Sequence, residues 1–275
     1  MSEQIENFQA LPLPEAVPSE PIPGDPDRPA WGPLAGIGAW LLSVAAIIVF
    51  PLIALVAYLA YFISTGGQLQ GEGLKLLLES PGMILVLLLA TIPAHLFTAA
   101  VCWFIVRQTA RRPFWESLGL KWHARSTLYK VMYIFLTIAG VLGMMQLVSL
   151  VVPAGRETDF DRILKVSEAV RISVAAMAVL SAPIVEEIVY RGLLYSGLRK
   201  AMNAASAITI VTLLFAGVHF LQYWGAWRSL VGITLLSLIL TIIRAHTKSI
   251  LPPIIVHFIF NFIGATEIIL KGGSQ

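Results

Sequence analysis

Ile172–Leu194 reads ISVAAMAVLSAPIVEEIVYRGLL, an apolar run long enough to cross a bilayer that carries Glu186, Glu187 and Arg191 in its C-terminal half. A spanning helix needs about 20 largely apolar residues. Even lenient insertion scales charge about 2.5–3.5 kcal/mol for one ionised side chain at a helix centre. Two adjacent carboxylates also repel each other, so the pair persists only where something compensates, usually a polar cavity or a cation. This stretch therefore predicts a membrane helix and a buried polar site on the same element.

Comparable runs lie on both sides. They cover about Leu34–Ser64 with Pro51 inside, Met83–Val106 with Pro93 inside, Leu128–Val152, Ala204–Leu221, Ser229–Ile243 and Ile250–Leu270. The sixth of the seven is short unless it extends through Arg244. Composition agrees: of 275 residues, 57% are apolar and 13% charged, against about 45–50% and about 25% in soluble domains. A mean hydropathy of +0.80 leaves too little polar surface for a water-soluble globule. A cytosolic single-core enzyme and a disordered or collagenous chain are excluded. The expected fold class is all-α, a polytopic membrane helix bundle of about seven transmembrane helices with a polar site between them.

The formal charge of +3 and pI near 9.1 reflect loop bias rather than a nucleic-acid partner. The loop after the second run holds Arg107, Arg111, Arg112, Lys121, Arg125 and Lys130 against Glu116; Arg199, Lys200, Arg244 and Lys248 fall on the same side. The opposite side holds Arg156, Arg162, Lys165 and Arg171 among four acids. The expected orientation is N-terminus cytoplasmic and C-terminus outside. Residues 1–33 contain eight prolines, six carboxylates and one cation, Arg28, and read as a disordered tail with no secretory signal. The expected membrane domain is 34–270, followed by a short tail, 271–275. Cys102, the single cysteine, reads as a small buried apolar residue. Trp224 and Trp227 suit an interfacial belt, and Pro113–Glu116 an amphipathic connector.

Helical spacing divides the polar cluster. Glu187 and Arg191 are four apart, share a face and can pair; Glu186 is rotated by about 100° and has Tyr190 four residues on. Arg191 then holds Glu187 ionised and leaves Glu186 free for chemistry; an interhelix clamp with both acids structural is the alternative. His219 lies near the end of the fifth run. His257 and Asn261 are four apart on one face of the seventh, where polar glue between helices is the plain alternative. Together they make a water-handling site on three helices. His95, beside Pro93, reads as bonding a carbonyl freed by the proline. Glu267 reads as reaching the interface, and His123 and His246 as solvated loop residues.

Glu186-Glu187-x-x-x-Arg191, Phe215-x-x-x-His219 and His257-x-x-x-Asn261, in that order in apolar helices, resemble the CPBP family over roughly Ala182–Phe262. That family contains the type II CAAX prenyl proteases and the Abi-like bacterial proteins linked to bacteriocin processing and self-immunity. No motif position departs from its pattern. The resemblance implies an intramembrane endopeptidase with a catalytic core at 182–262. Glu186 would be the principal catalytic carboxylate, working with His219 on a water; Arg191 and Glu187 would organise it, and His257 and Asn261 would stabilise the oxyanion. The family is described both as metalloproteases and as glutamate-dependent enzymes, and both stay open here. Zinc on Glu186, His219 and His257 would keep an open water position, yet leaves only Glu187, paired with Arg191, as a base. The metal-free form gives each motif residue a role, and nothing resembles the His-Glu-x-x-His helix of soluble zinc proteases.

The expected partners are a peptide or membrane-protein substrate and the lipid bilayer. The expected location is a bacterial cytoplasmic membrane, which points to a peptide leader or membrane-protein segment rather than a prenylated protein. A non-catalytic scaffold or bacteriocin-immunity protein is the alternative function. A proton-coupled transporter fits less well, because no internal repeat is seen.

Overall fold

The computed structural model describes residues 25, 27–78, 80–124 and 126–272, and every regular element among them is helical. The proline-rich stretch to residue 24, Arg125 and residues 273–275 lie outside the described residues. Six helical segments are long and apolar enough to span a membrane: Pro33–Ser64, Pro81–Thr109, Thr127–Val151, Glu168–Arg199, Trp227–Thr247 and Leu251–Leu270. Ala204–Phe220 is a shorter apolar helix, which accounts for the seventh expected run. The chain is an integral multi-pass membrane protein.

In chain order the helices are α1 (Pro33–Ser64), α2 (Glu72–Leu78), α3 (Pro81–Leu89), α4 (Thr91–Thr109), α5 (Phe114–Ser117), α6 (Thr127–Val151) and α7 (Asp159–Val166). They continue with α8 (Glu168–Leu180), α9 (Ala182–Glu187), α10 (Tyr195–Arg199), α11 (Ala204–Phe220), α12 (Trp227–Thr247) and α13 (Leu251–Gly272), which runs into the expected C-terminal tail. Between α9 and α10, Ile188–Leu194 forms a wider π-helical stretch. At 1.5 Å per residue α1 is about 48 Å long, more than a hydrocarbon core of about 30 Å, so it tilts or projects.

Local sequence explains the breaks. The first four N–H groups of a helix have no partner inside it, so proline there costs no hydrogen bond. The second run divides at Ala90, which puts Pro93 in the first turn of α4; the fourth divides at Ser181, which puts Pro183 in the first turn of α9. Ser80, Ser126, Ser167 and Asn203 cap α3, α6, α8 and α11 by accepting from Met83, Tyr129, Val170 and Ser206 backbone N–H groups. Thr158 and Asp161 form a reciprocal capping box on α7.

Packing sorts inner from outer helices. Only 11% of the most apolar window of α6 is buried against 44% of that of α12, so α6 faces lipid and α12 lies inside. α11 packs along α12, α13 along α8, and α1 along α4 and the π-helical stretch. Gly36 allows the last approach: a Cβ there would stand 2.9 Å from the Leu193 carbonyl oxygen. The main core gathers at that contact, around Trp31, Leu193, Leu194, Tyr195, Leu198 and Val211. Cys102 is part of it and fully buried.

The stretch read as tail up to residue 33 needs correction over 27–32. Trp31 is buried, with its indole N–H donating to the Leu193 carbonyl at 3.2 Å. Asp27 pairs with Arg244 at 2.9 Å, and Asp25 with Lys248 at 3.5 Å. Arg244, read as a loop cation, is fully buried because α12 runs past it. A buried guanidinium requires a nearby anion, and the N-terminal strap supplies one; the composition of the strap hides that pairing.

Candidate active site

The π-helical stretch and the end of α9 present Glu187 and Arg191 inward, both fully buried. The pairing expected from spacing is present: Arg191 Nη1 donates to Glu187 Oε1 at 2.8 Å. Its Nη2 donates to the Ser237 carbonyl and hydroxyl, each at 2.9 Å, and its Nε to Thr241 Oγ1 at 3.2 Å. The guanidinium carbon also stands 4.9 Å from the Phe215 ring centre. These contacts use the planar donor fork of arginine on three sides. Ser237 and Thr241, both buried, were not singled out from the sequence. Two hydroxyl residues four apart in an apolar run were the available signal.

Glu187 Oε1 also accepts from His257 Nδ1 at 2.9 Å, while Oε2 has no hydrogen-bond partner among the described residues. Holding Nδ1 on a carboxylate fixes the imidazole ring and aims Nε2 elsewhere. That nitrogen lies 3.8 Å from Glu186 Oε2, outside hydrogen-bond reach. Glu186 keeps 24% side-chain exposure and, among the described residues, has no guanidinium against it. The two neighbouring glutamates therefore differ as the helical spacing predicts.

Glu186, His219, His257 and Asn261 line one cavity of about 410 Å³ between α4, α8, α11, α12 and α13. Glu187 and Arg191 stand behind its wall. His219 gives its Nδ1–H to the Phe215 carbonyl at 2.9 Å and stacks on that ring, leaving Nε2 uncommitted. Asn261 Nδ2 donates to the Ala178 carbonyl at 2.7 Å, tying α13 to α8. It thus serves as interhelix glue through one N–H and has a second N–H to offer. A second cavity, of about 590 Å³, opens between α1, α4 and α11. Glu186 and His219 line both, at their junction.

Sequence reasoning missed three residues of this region. His95 bonds the Ser181 hydroxyl at 3.0 Å rather than a proline-freed carbonyl, and it lines both cavities. Gln222 also lines both, and Tyr223 lines the first. Burial, followed by the Asp161 and Glu186 charges, pushes the Tyr223 phenol up to about 12. It stays a neutral O–H donor at physiological pH. Nothing in the isolated positions of these residues could have marked them, since their role is set by helix packing. Glu267 lies on α13 outside both cavities, His123 is exposed, and exposed His246 stacks on Tyr133.

Among the described residues, no group of three or more His, Cys, Asp or Glu side chains is arranged to hold a metal ion. His257 has Nδ1 on Glu187, and the set Glu186, His219 and His257 does not close into a zinc shell in this arrangement.

A carboxylate and imidazoles on a cavity between apolar helices form an arrangement that can activate a water inside a membrane. Residues 168–263 match the family model described as Type II CAAX prenyl endopeptidase Rce1-like. That span contains all three motifs, and it bears out the resemblance read from them. No curated protein and no solved structure matches the chain.

Proposed function

We propose that this protein is an intramembrane endopeptidase that cleaves a peptide bond with a water activated by Glu186 and His219. The observation that carries this is the asymmetry of the adjacent carboxylates: Arg191 and His257 occupy Glu187, while Glu186 is left facing a cavity beside an imidazole. Glu186 takes a proton from water as its oxygen bonds the acyl carbon, and His219 Nε2 orients that water. The oxyanion is met by the second Asn261 N–H and by His257 Nε2–H, the ring then carrying both protons with Nδ1–H on Glu187. Collapse breaks the C–N bond with its electron pair on nitrogen, which takes up one proton, equal in number to the one that Glu186 removed from the water.

The substrate is a peptide leader or a membrane-protein segment that reaches the cavity from the lipid, in a bacterial cytoplasmic membrane with the N-terminus of the enzyme inside. The test compares peptide termini in membranes of cells carrying wild type or Glu186→Gln at matched expression. Termini that disappear in the variant while precursors accumulate support proteolysis and identify the substrate. An unchanged set of termini with the wild-type phenotype retained moves the function to a non-catalytic scaffold or immunity protein, whose buried clamp would need no free carboxylate.

A further inference from the structure

The two cavities meet at five side chains, Ile47, His95, Glu186, His219 and Gln222. Two are imidazoles, and the mechanism above uses only one. His95, like His219, makes its hydrogen bond through Nδ1. Its Nδ1 lies 3.0 Å from Ser181 Oγ, and that hydroxyl lies 3.1 Å from the Met177 carbonyl oxygen. A carbonyl oxygen only accepts, so the one hydroxyl proton of Ser181 goes to Met177, and Ser181 accepts from His95. Nδ1 of the neutral ring therefore carries the hydrogen, and Nε2 keeps a lone pair. His219 is tethered alike, Nδ1–H to the Phe215 carbonyl at 2.9 Å. Two rings from different helices, α4 and α11, thus bring basic nitrogens to the region of one uncommitted carboxylate.

Hydrolysis moves a proton twice. The attacking oxygen and the leaving nitrogen occupy different corners of the tetrahedral intermediate, and a carboxylate set against the first is displaced from the second. We propose that His95 is a further catalytic residue, the carrier that takes the proton from Glu186 and delivers it to the leaving nitrogen. Water gives its proton to Glu186 as the O–C bond forms. The proton passes to His95 Nε2, making an imidazolium whose Nδ1–H remains on Ser181. Nε2–H then protonates the nitrogen as the C–N bond breaks with its electron pair, and the ring returns to neutral. Ser181 is a positioning residue that fixes the tautomer. The break before Pro183 sets it there: Ser181 is the residue between α8 and α9.

This rests on the endopeptidase function, and the test separates the two. Full-length enzyme in detergent is given the peptide spanning the cleavage site found in the Glu186→Gln comparison, and a nitrophenyl ester of its acyl half. Nitrophenolate leaves without a proton, so a general acid matters for the peptide and hardly for the ester. His95→Gln is expected to lose about 100-fold or more on the peptide while ester turnover stays near wild type, and Ser181→Ala to show a smaller loss of the same selectivity. Equal losses on both substrates by a variant that melts like wild type, or no loss on the peptide, would overturn the role of His95. If His95→Gln does not melt cooperatively, Ser181→Ala decides by the same criterion. Wild-type rates in Glu186→Gln on both substrates would instead overturn the Glu186-dependent mechanism on which this rests, and no turnover of the peptide by the wild type would remove the endopeptidase function, whatever His95 does.

Discussion

The two faces of the helix that ends α9 are built on opposite principles. Behind it, Glu187 and Arg191 are fully buried and tied to Ser237, Thr241 and His257. In front, Glu186 has partial exposure and stands at the meeting of two cavities. A buried ion pair is costly to desolvate and strongly destabilising to break, so the rear face acts on the fold. A partly exposed carboxylate with no guanidinium against it among the described residues adds little to the fold and remains available to a reacting water. One-residue displacement along the helix separates a structural from a chemical role, because it turns the side chain by about 100°.

The comparison breaks if the two acids respond alike. Glu186→Gln is expected to lower turnover by about 10²–10⁴-fold with little change in the melting temperature in detergent. Arg191→Met is expected to lower stability by about 3–5 kcal/mol, since it leaves Glu187 buried without its cation; thermal melting or steric trapping measures this. A Glu186→Gln protein that melts as low as Arg191→Met would show that both carboxylates are structural. Combining Glu187→Leu with Arg191→Met sharpens the point. Removing both charges is expected to restore most of the stability while turnover stays low, because His257 loses the oxygen that fixes its Nδ1.

The sequence made the spans legible because apolar length is a local property, and the 3.6-residue period was enough to place Arg191 on Glu187. The π-helical widening at Ile188–Leu194 did not spoil that inference, since residues four apart remain nearly one turn apart. What escaped depends on contacts between distant segments. Asp27 meets Arg244 across most of the chain, so the strap read as loose tail although it carries the partner of a buried cation. His95 reads from the sequence as a neighbour of the proline two residues before it, whereas its partner Ser181 stands at the junction of α8 and α9. Asn261 was read through its likeness to oxyanion donors, and half of its donor capacity goes to the Ala178 carbonyl. Pairing rules within one helix cannot see such partners.

Smaller effects test how far the rear clamp extends. Ser237→Ala removes one of the two acceptors of Arg191 Nη2 and leaves the Ser237 carbonyl in place, so about 1–2 kcal/mol is expected from losing a hydrogen bond to a charged group. Trp31→Phe reaches further, into the strap. It removes the indole donor from the Leu193 carbonyl and keeps most of the buried ring area. The Ser196 hydroxyl, which donates to the Gly192 carbonyl, lies 3.3 Å from the Leu193 carbonyl and can turn to it, so the expected loss is about 0.6 kcal/mol, the average measured for interhelical hydrogen bonds in a membrane protein. Melting in detergent should barely move. A drop as large as that of Arg191→Met would mean that the strap holds the π-helical stretch in register, and would extend the clamp from Glu187 to the N-terminal segment. Turnover distinguishes the two cases, because a shifted register displaces Arg191 from Glu187 and frees His257, whereas the loss of the indole bond alone leaves both in place.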